Sequence, residues 1–120
     1  MCGRYTLSAR RLALLEERLH TTFPNLAPRY NIAPSQEVPV IRRTEDSYQL
    51  VMARWGLIPS WAKDPKTGYR MINARAETVA EKPAFRSAFR HRRCLIPADG
   101  MYEWRQMNGH KTPYYCVSLI

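Results

Sequence analysis

Long apolar runs are missing from this 120-residue sequence. No stretch would cross a bilayer as a single helix, which excludes a helical membrane span. Cysteine is scarce as well. The three are Cys2, Cys94 and Cys116, an odd number with no CxxC pair. That argues against a disulfide framework and against zinc, and it fits a reducing, intracellular compartment. Acidic residues number 10 against 19 Lys plus Arg, for a formal net charge of +9. The first twenty residues carry Arg4, Arg10, Arg11, Glu16, Glu17 and Arg18, so they contain no secretory apolar core. Repeats, low-complexity tracts and internal domain boundaries are also absent.

What is present points to one small globular domain. Hydrophobic residues make up 45% and aromatics 11%, too apolar for a disordered chain. A chain of this length can bury a core of its own. Arginine dominates the basic set and suits bidentate phosphate contacts, so nucleic acid is the first partner to consider. A merely soluble basic surface is the plain alternative.

The segment "SARRLALLEERLH" spaces Leu12, Leu15 and Leu19 as one helix face, with Ser8 as N-cap. "NLAPRYNIAPSQ", broken by Pro28 and Pro34, reads as an ordered loop. "EVPVIRR" and "YQLVMARWGLI" read as two strands around a "TEDS" turn. "PSWAKDPKTGYR" is rich in turn residues and exposes Trp61. In "EKPAFRSAFRHRR", Pro83 suits the first helical position. Phe85, Ala88 and Phe89 would then face the core, while Arg86, Arg90 and Arg93 form a basic stripe. "RCLIPADGMYEWRQMNGHKTPYYCVSLI" reads as three strands, with a corner at Asp99-Gly100 and a hairpin at Asn108-Gly109. Cys94 and Cys116 sit in apolar runs and are expected to be buried thiols. The pattern stops inside an apolar strand, which reads as part of a longer domain with an open sheet edge.

Three positions could carry chemistry. Cys2 stands directly behind Met1. Removal of Met1 would leave an α-amine and a thiol on one residue, a pair able to attack an aldehyde twice and close a thiazolidine ring. An α-amine titrates at about 7.7–8.0 and is partly neutral at pH 7. A cationic neighbour such as Arg4 favours a reactive thiol, and N-terminal nucleophiles are an established catalytic solution. Chance placement is the alternative. Glu103 lies between Tyr102 and Trp104. Pointing into a pocket it suits general acid–base work; pointing outward it is a solvated strand residue. In "INARAET", Asn73, Arg75 and Glu77 alternate, so an extended segment puts all three on one face. Asn can hold an amine or sugar oxygen and Arg a phosphate. Alternatively, Arg75 and Glu77 pair with each other.

The ordered blocks "MCGRY", "RYNIAPSQ", "RWGLIPSWAK", "INARAET", "RRCLIPADGMYEW" and "TPYY" resemble the SOS response-associated peptidase (SRAP) family across nearly the whole chain. The resemblance implies an α+β fold: a curved, mostly antiparallel sheet or incomplete barrel with peripheral helices. It implies binding of single-stranded DNA and covalent capture of abasic sites as a thiazolidine on Cys2 after Met1 removal. Autoproteolytic and abasic-site lyase chemistry are associated with the family. Cys2 matches the family nucleophile, Asn73 the asparagine that positions amine and open sugar, and Glu103 the proton-moving glutamate. Arg4 and Arg75 match positions beside the DNA backbone. Asn31 and Pro34 lie in a block that lines the site. Trp61 and Phe85 look placed to stack on or wedge between bases, and Arg86 starts the basic stripe.

No metal or diffusible cofactor is implied. The expected partner is single-stranded DNA containing abasic sites, with no membrane contact. The expected state is a monomer in the cytoplasm, at the nucleoid in a bacterial cell. One departure stands out: family members continue beyond the position of Ile120, and that part carries an active-site histidine. His20, His91 and His110 lie in no matching motif and are expected at the surface. Three rival readings remain: a non-covalent single-stranded nucleic-acid binder, a general N-terminal-nucleophile peptidase, and an inactive partial domain.

Overall fold

The computed structural model describes residues 2–118. Met1 and residues 119–120 lie outside the described residues, and with them the expected Met1 removal and the last residues of the apolar ending. Strand β1 (Tyr5–Leu7) leads into helix α1 (Ala9–Leu19). Strands β2 (Arg29–Ile32), β3 (Glu37–Arg43) and β4 (Tyr48–Arg54) follow. A 3-10 helix (Pro65–Arg70) and a short helix α2 (Arg86–His91) precede strands β5 (Gly100–Met107) and β6 (His110–Val117). The chain is α+β, as expected. One sheet has the order β2-β1-β5-β6 and the other pairs β3 with β4. Every described strand pairing is antiparallel, and neither sheet closes into a barrel.

The core gathers early in the chain. Tyr5, Leu7, Leu12, Phe23, Ile32, Val38, Val40 and Ile41 are its buried members. Strand β1 is buried at all three positions: β2 and β5 pair its edges, and Tyr5 and Leu7 pack into the cluster with α1 and β3. Helix α1 buries Leu12 and rests Leu15 and Leu19 on the same cluster, the face its spacing predicted. His20 ends the helix in the left-handed region (φ 50°), and the Thr21 N–H donates back to the Glu16 carbonyl at 3.1 Å. The Glu16 carboxylate then accepts from the Phe23 N–H at 2.6 Å and turns that ring inward. Ser8 does hold the N-cap position, but its hydroxyl donates to Asp99 Oδ1 at 3.1 Å instead of capping the helix.

Strand β3 is buried from Val38 through Ile41. One edge pairs with β4. On the other edge, Ile41 exchanges two 2.8 Å backbone hydrogen bonds with Leu95. Pro39 lies two residues earlier, so its missing N–H falls on that same outer edge and costs no β4 bond.

Several expected elements differ. The loop around Pro28 and Pro34 contains β2, because β1 offers it an edge that outweighs the local proline signal. Helix α2 begins only at Arg86, with Phe85 at the cap, so Pro83 is not its first residue. The helix buries no residue, and Phe89 is 39% exposed, so it does not present a core face. Arg93 lies beyond the helix end and places its guanidinium over the Phe89 ring at 5.6 Å instead of extending a stripe. The three strands read after Arg93 are two strands and a single bridge at Leu95.

The Asn108-Gly109 hairpin is present, with φ of 48° and 76°. Both positive angles suit a two-residue turn that follows the strand twist. Cys94 and Cys116 are exposed, against expectation. Every residue of β6 is exposed, and the Cys94 segment runs over the surface. An apolar run is buried only where another layer covers it. His20, His91 and His110 are exposed as expected.

Candidate functional site

The site forms where the chain enters β1. Cys2 is half-buried, and its carbonyl accepts from Asn73 Nδ2 at 2.9 Å. Two residues on, Arg4 Nη1 donates to Asn31 Oδ1 at 3.0 Å, tying the entry of β1 to β2. The Arg4 carbonyl accepts from the Tyr102 N–H at 2.9 Å. The β1–β5 register pairs Tyr5 with Met101 and Thr6 with Gly100. Continued backward, that register sets Glu103 abreast of Gly3, beside Cys2 in sequence. Glu103 is half-buried and lies opposite Tyr114 in β6.

Aromatic side chains cluster on the Tyr102 face of β5, opposite Glu103 by strand alternation. Tyr102 Oη donates to the Tyr30 carbonyl at 3.0 Å, bridging β5 to β2 across β1. Its ring lies 5.2 Å from Tyr115 and 6.4 Å from Trp104. The Tyr115 and Thr6 hydroxyls lie 2.6 Å apart in a hydrogen bond. This cluster requires glycine at position 100: an added Cβ would lie 2.6 Å from the Cys116 carbonyl oxygen and 2.7 Å from the Tyr115 ring.

Tyr5 follows Arg4 on β1 and by strand alternation faces away from Thr6. It is buried, and its ring meets Trp55 edge-on at 5.6 Å. Among the described residues its hydroxyl has no hydrogen-bond partner. Burial pushes the phenol above its ordinary range, Arg29 opposes that shift, and Cys2 adds to it. Arg29 is itself held by the Glu37 carbonyl at 2.6 Å and Gln36 Oε1 at 2.8 Å.

The structure therefore joins Cys2 to Asn73, and Arg4 to Asn31. Pro34 is half-buried at the corner where Ser35 turns with φ 70°. The alternation of Asn73, Arg75 and Glu77 does not become a strand. All three are exposed, turns begin at Ala76, and no ion pair between Arg75 and Glu77 occurs among the described residues. Trp61 is 62% exposed, Phe85 is half-buried at the cap of α2, and Arg86 is exposed. No hydrogen bond or ring contact among the described residues ties those three to the Cys2 group.

Sequence reasoning missed Tyr5, Tyr30, Trp55 and Tyr102. Tyr102 and Trp104 share one face by strand alternation, which was the available signal; the contacts of Tyr5 and Trp55 link remote segments and leave no local trace. A largely apolar cavity of about 160 Å³, lined by Leu7, Leu12, Leu26, Pro39 and Met52 among others, includes none of the candidate residues. Among the described residues, no group of three His, Cys, Asp or Glu side chains could hold a metal ion. Nor is any described helix long and apolar enough to cross a membrane.

Comparison with known proteins follows the same outline. The family model for SOS response-associated peptidase (SRAP) matches residues 1–118. The abasic site processing protein YoaM of Bacillus subtilis is 48% identical over 112 residues, covering 91% of this chain and 49% of that protein. The abasic site processing protein YedK of Escherichia coli is 34% identical over 121 residues, covering 96% and 53%. A solved structure of a protein from Bacteroides thetaiotaomicron superposes with a TM-score of 0.77 at 28% identity, covering 95% of this chain and 53% of that one. The chain thus spans about half the length of these relatives.

Proposed function

The chain belongs to the SOS response-associated peptidase family, and from that premise we propose that it senses abasic sites in single-stranded DNA and captures them covalently through Cys2. The names of its relatives, abasic site processing proteins, support the DNA-repair reading. One observation carries the site: the Asn73 amide rests on the Cys2 carbonyl at 2.9 Å, across 71 positions of sequence. A side chain that grips the backbone of Cys2 is placed to orient its amine and thiol together.

The chemistry balances as follows. With Met1 removed, the Cys2 amine adds to the aldehyde of the ring-opened abasic sugar, and loss of one water gives an imine. The thiol sulfur then adds to the imine carbon, and its proton passes to nitrogen, closing the thiazolidine. Glu103 is the group assigned to move protons in sugar opening, imine formation and reversal. Arg4 and Arg75 hold phosphates, with Asn31 and Pro34 shaping the wall of the site. Trp61 and Phe85 stack on bases, and Arg86 adds charge. Such contacts tolerate any sequence and weaken with salt. Self-removal of Met1 and lyase activity at the abasic site belong to the same proposal. So does the domain boundary, with residues 1–120 forming the N-terminal part of a longer SRAP domain.

Intact mass spectrometry of the chain, before and after mixing with single-stranded DNA carrying one abasic site, tests this reading. Loss of Met1 followed by a stable adduct is expected. Loss of Met1 without an adduct would show that this length of chain lacks a needed group. Cys2→Ala should abolish the adduct, and normal crosslinking by that variant would sink the mechanism. Glu103→Gln should slow formation or reversal. Arg75→Ala should weaken DNA binding and lower its salt slope by about 0.7.

A second reading rests on exposed aromatic and cationic groups away from Cys2. Arg54 lies over the Tyr69 ring at 5.2 Å, and Trp61 stands in solvent. Such a surface would bind single strands without covalent chemistry, and retained Met1 with salt-sensitive binding would favour it. Hydrolysis of unrelated peptides without DNA would instead favour a general peptidase.

A further inference from the structure

Trp55 stands where three segments carrying candidate site residues meet. Its backbone is pinned to the corner after Pro34: its N–H donates to the Gln36 carbonyl at 3.0 Å, and its carbonyl accepts from the Ser35 N–H at 2.9 Å. Its ring packs edge-on against Tyr5 of β1. Its indole Nε1–H donates to the Ile72 carbonyl at 2.9 Å.

Ile72 immediately precedes Asn73. The Ile72 carbonyl and the Asn73 nitrogen belong to one rigid peptide plane. Fixing that oxygen therefore fixes the plane from which the Asn73 side chain departs toward the Cys2 carbonyl. The loop between Trp55 and Ile72 is also drawn shut. The Leu57 N–H donates to the Met71 carbonyl at 2.9 Å. Gly56 sits at φ 135°, where a Cβ would lie 2.5 Å from the Gly68 carbonyl oxygen. The backbone contacts bring the loop ends together, and the indole hydrogen bond reaches the residue next to Asn73.

We propose that Trp55 is a positioning residue for the Cys2 site: its indole N–H holds the Ile72–Asn73 peptide plane and so keeps the Asn73 amide on the Cys2 carbonyl. The effect on reaction rate rests on the assignment of Cys2 as nucleophile; the geometric claim does not. Trp55→Phe keeps a ring against Tyr5 and removes the N–H. Benzothienylalanine at position 55 is closer still, an isostere of tryptophan with sulfur in place of the N–H, and it serves if the phenylalanine variant does not fold.

Two readouts are taken on the full 120-residue chain. The first is the rate of adduct formation with abasic single-stranded DNA. Losing one such hydrogen bond should slow it by about tenfold. In an Asn73→Ala background the same replacement should add nothing, because Trp55 acts through Asn73. Effects that multiply in the double variant would overturn the proposal. The second readout uses no DNA: the side-chain amide NMR resonances of Asn73 should move toward unfolded-chain positions while β3 and β4 amides stay in place. Unmoved Asn73 resonances would overturn the proposal whatever the DNA result. If the unaltered chain forms no adduct, covalent capture by this length of chain fails, and the NMR result alone decides the role of Trp55.

Discussion

The β3–β4 pair and the β5–β6 hairpin are built alike and packed differently. Both are antiparallel, with strands of 7 and 8 residues and an unbroken register. Yet β3 buries four consecutive residues, while β6 buries none. Both carry apolar residues, so composition does not explain the contrast. Strand β3 lies in the cluster formed with β1 and α1, whereas Tyr114, Tyr115 and Val117 of β6 remain about half exposed. Pairing is settled between two neighbouring strands by turn and register, whereas burial needs a second layer contributed by other segments. The candidate site lies between these regions, where Cys2 and Arg4 lead into the buried strand β1 and Glu103 rides on β5 of the hairpin.

Mutations should sharpen that contrast. Ile41→Ala, at a side chain 1% exposed, should cost about 2–5 kcal/mol. Val117→Ala, 53% exposed, should stay within about 0.5 kcal/mol. Urea unfolding of both variants checks this, and equal costs would mean that β6 is as buried as β3. Gly100→Ala comes next. Its new Cβ meets the Cys116 carbonyl and the Tyr115 ring, and overpacking of this kind costs about 1–3 kcal/mol. The loss should show in amide exchange as faster opening of β5 and β6, with β3 and β4 unchanged. Uniformly faster exchange would mean that the hairpin and the core open as one unit.

A further effect concerns Tyr5. Removing a buried hydroxyl that has no partner among the described residues should make Tyr5→Phe more stable by about 1 kcal/mol at neutral pH. The folded phenol holds its proton to higher pH than an unfolded one. Above about pH 10 the folded state therefore carries the extra proton, and stability falls as pH rises. Tyr5→Phe should lose that share of the alkaline fall. Parallel melting curves for the two proteins from pH 8 to 11 would contradict the assignment.

Much of the fold was legible because its signals are local. Leu12, Leu15 and Leu19 mark the inner face of α1 by spacing alone, and Asn108-Gly109 marks the hairpin by its dihedral demands. The misreadings share a cause. Strand β2 was hidden by Pro28 and Pro34, since its pairing partner β1 lies more than twenty residues earlier. Helix α2 was drawn too long because Phe85 and Phe89 looked like a core face, whereas Phe85 is half-buried at the cap and Phe89 is exposed. Cys94 and Cys116 looked buried because their neighbours are apolar. At the site, the blocks naming Cys2, Asn73 and Glu103 were readable, but the alternation expected to align Asn73 with Arg75 and Glu77 is broken by a turn at Ala76.

The sequence by itself determined the inner face of α1, the Asn108-Gly109 turn and the chemical repertoire: a thiol behind the initiator methionine, a carboxylate in a strand, and arginines in excess. Tertiary structure alone decided that Asn73 grips the Cys2 carbonyl, that Trp55 holds the peptide behind Asn73, and that β3 is covered while β6 is not. The physical reason is one of range. Backbone propensity and side-chain periodicity act over three or four residues, whereas a hydrogen bond across 71 positions, or a buried face, exists only once remote segments have been brought together by the core they share.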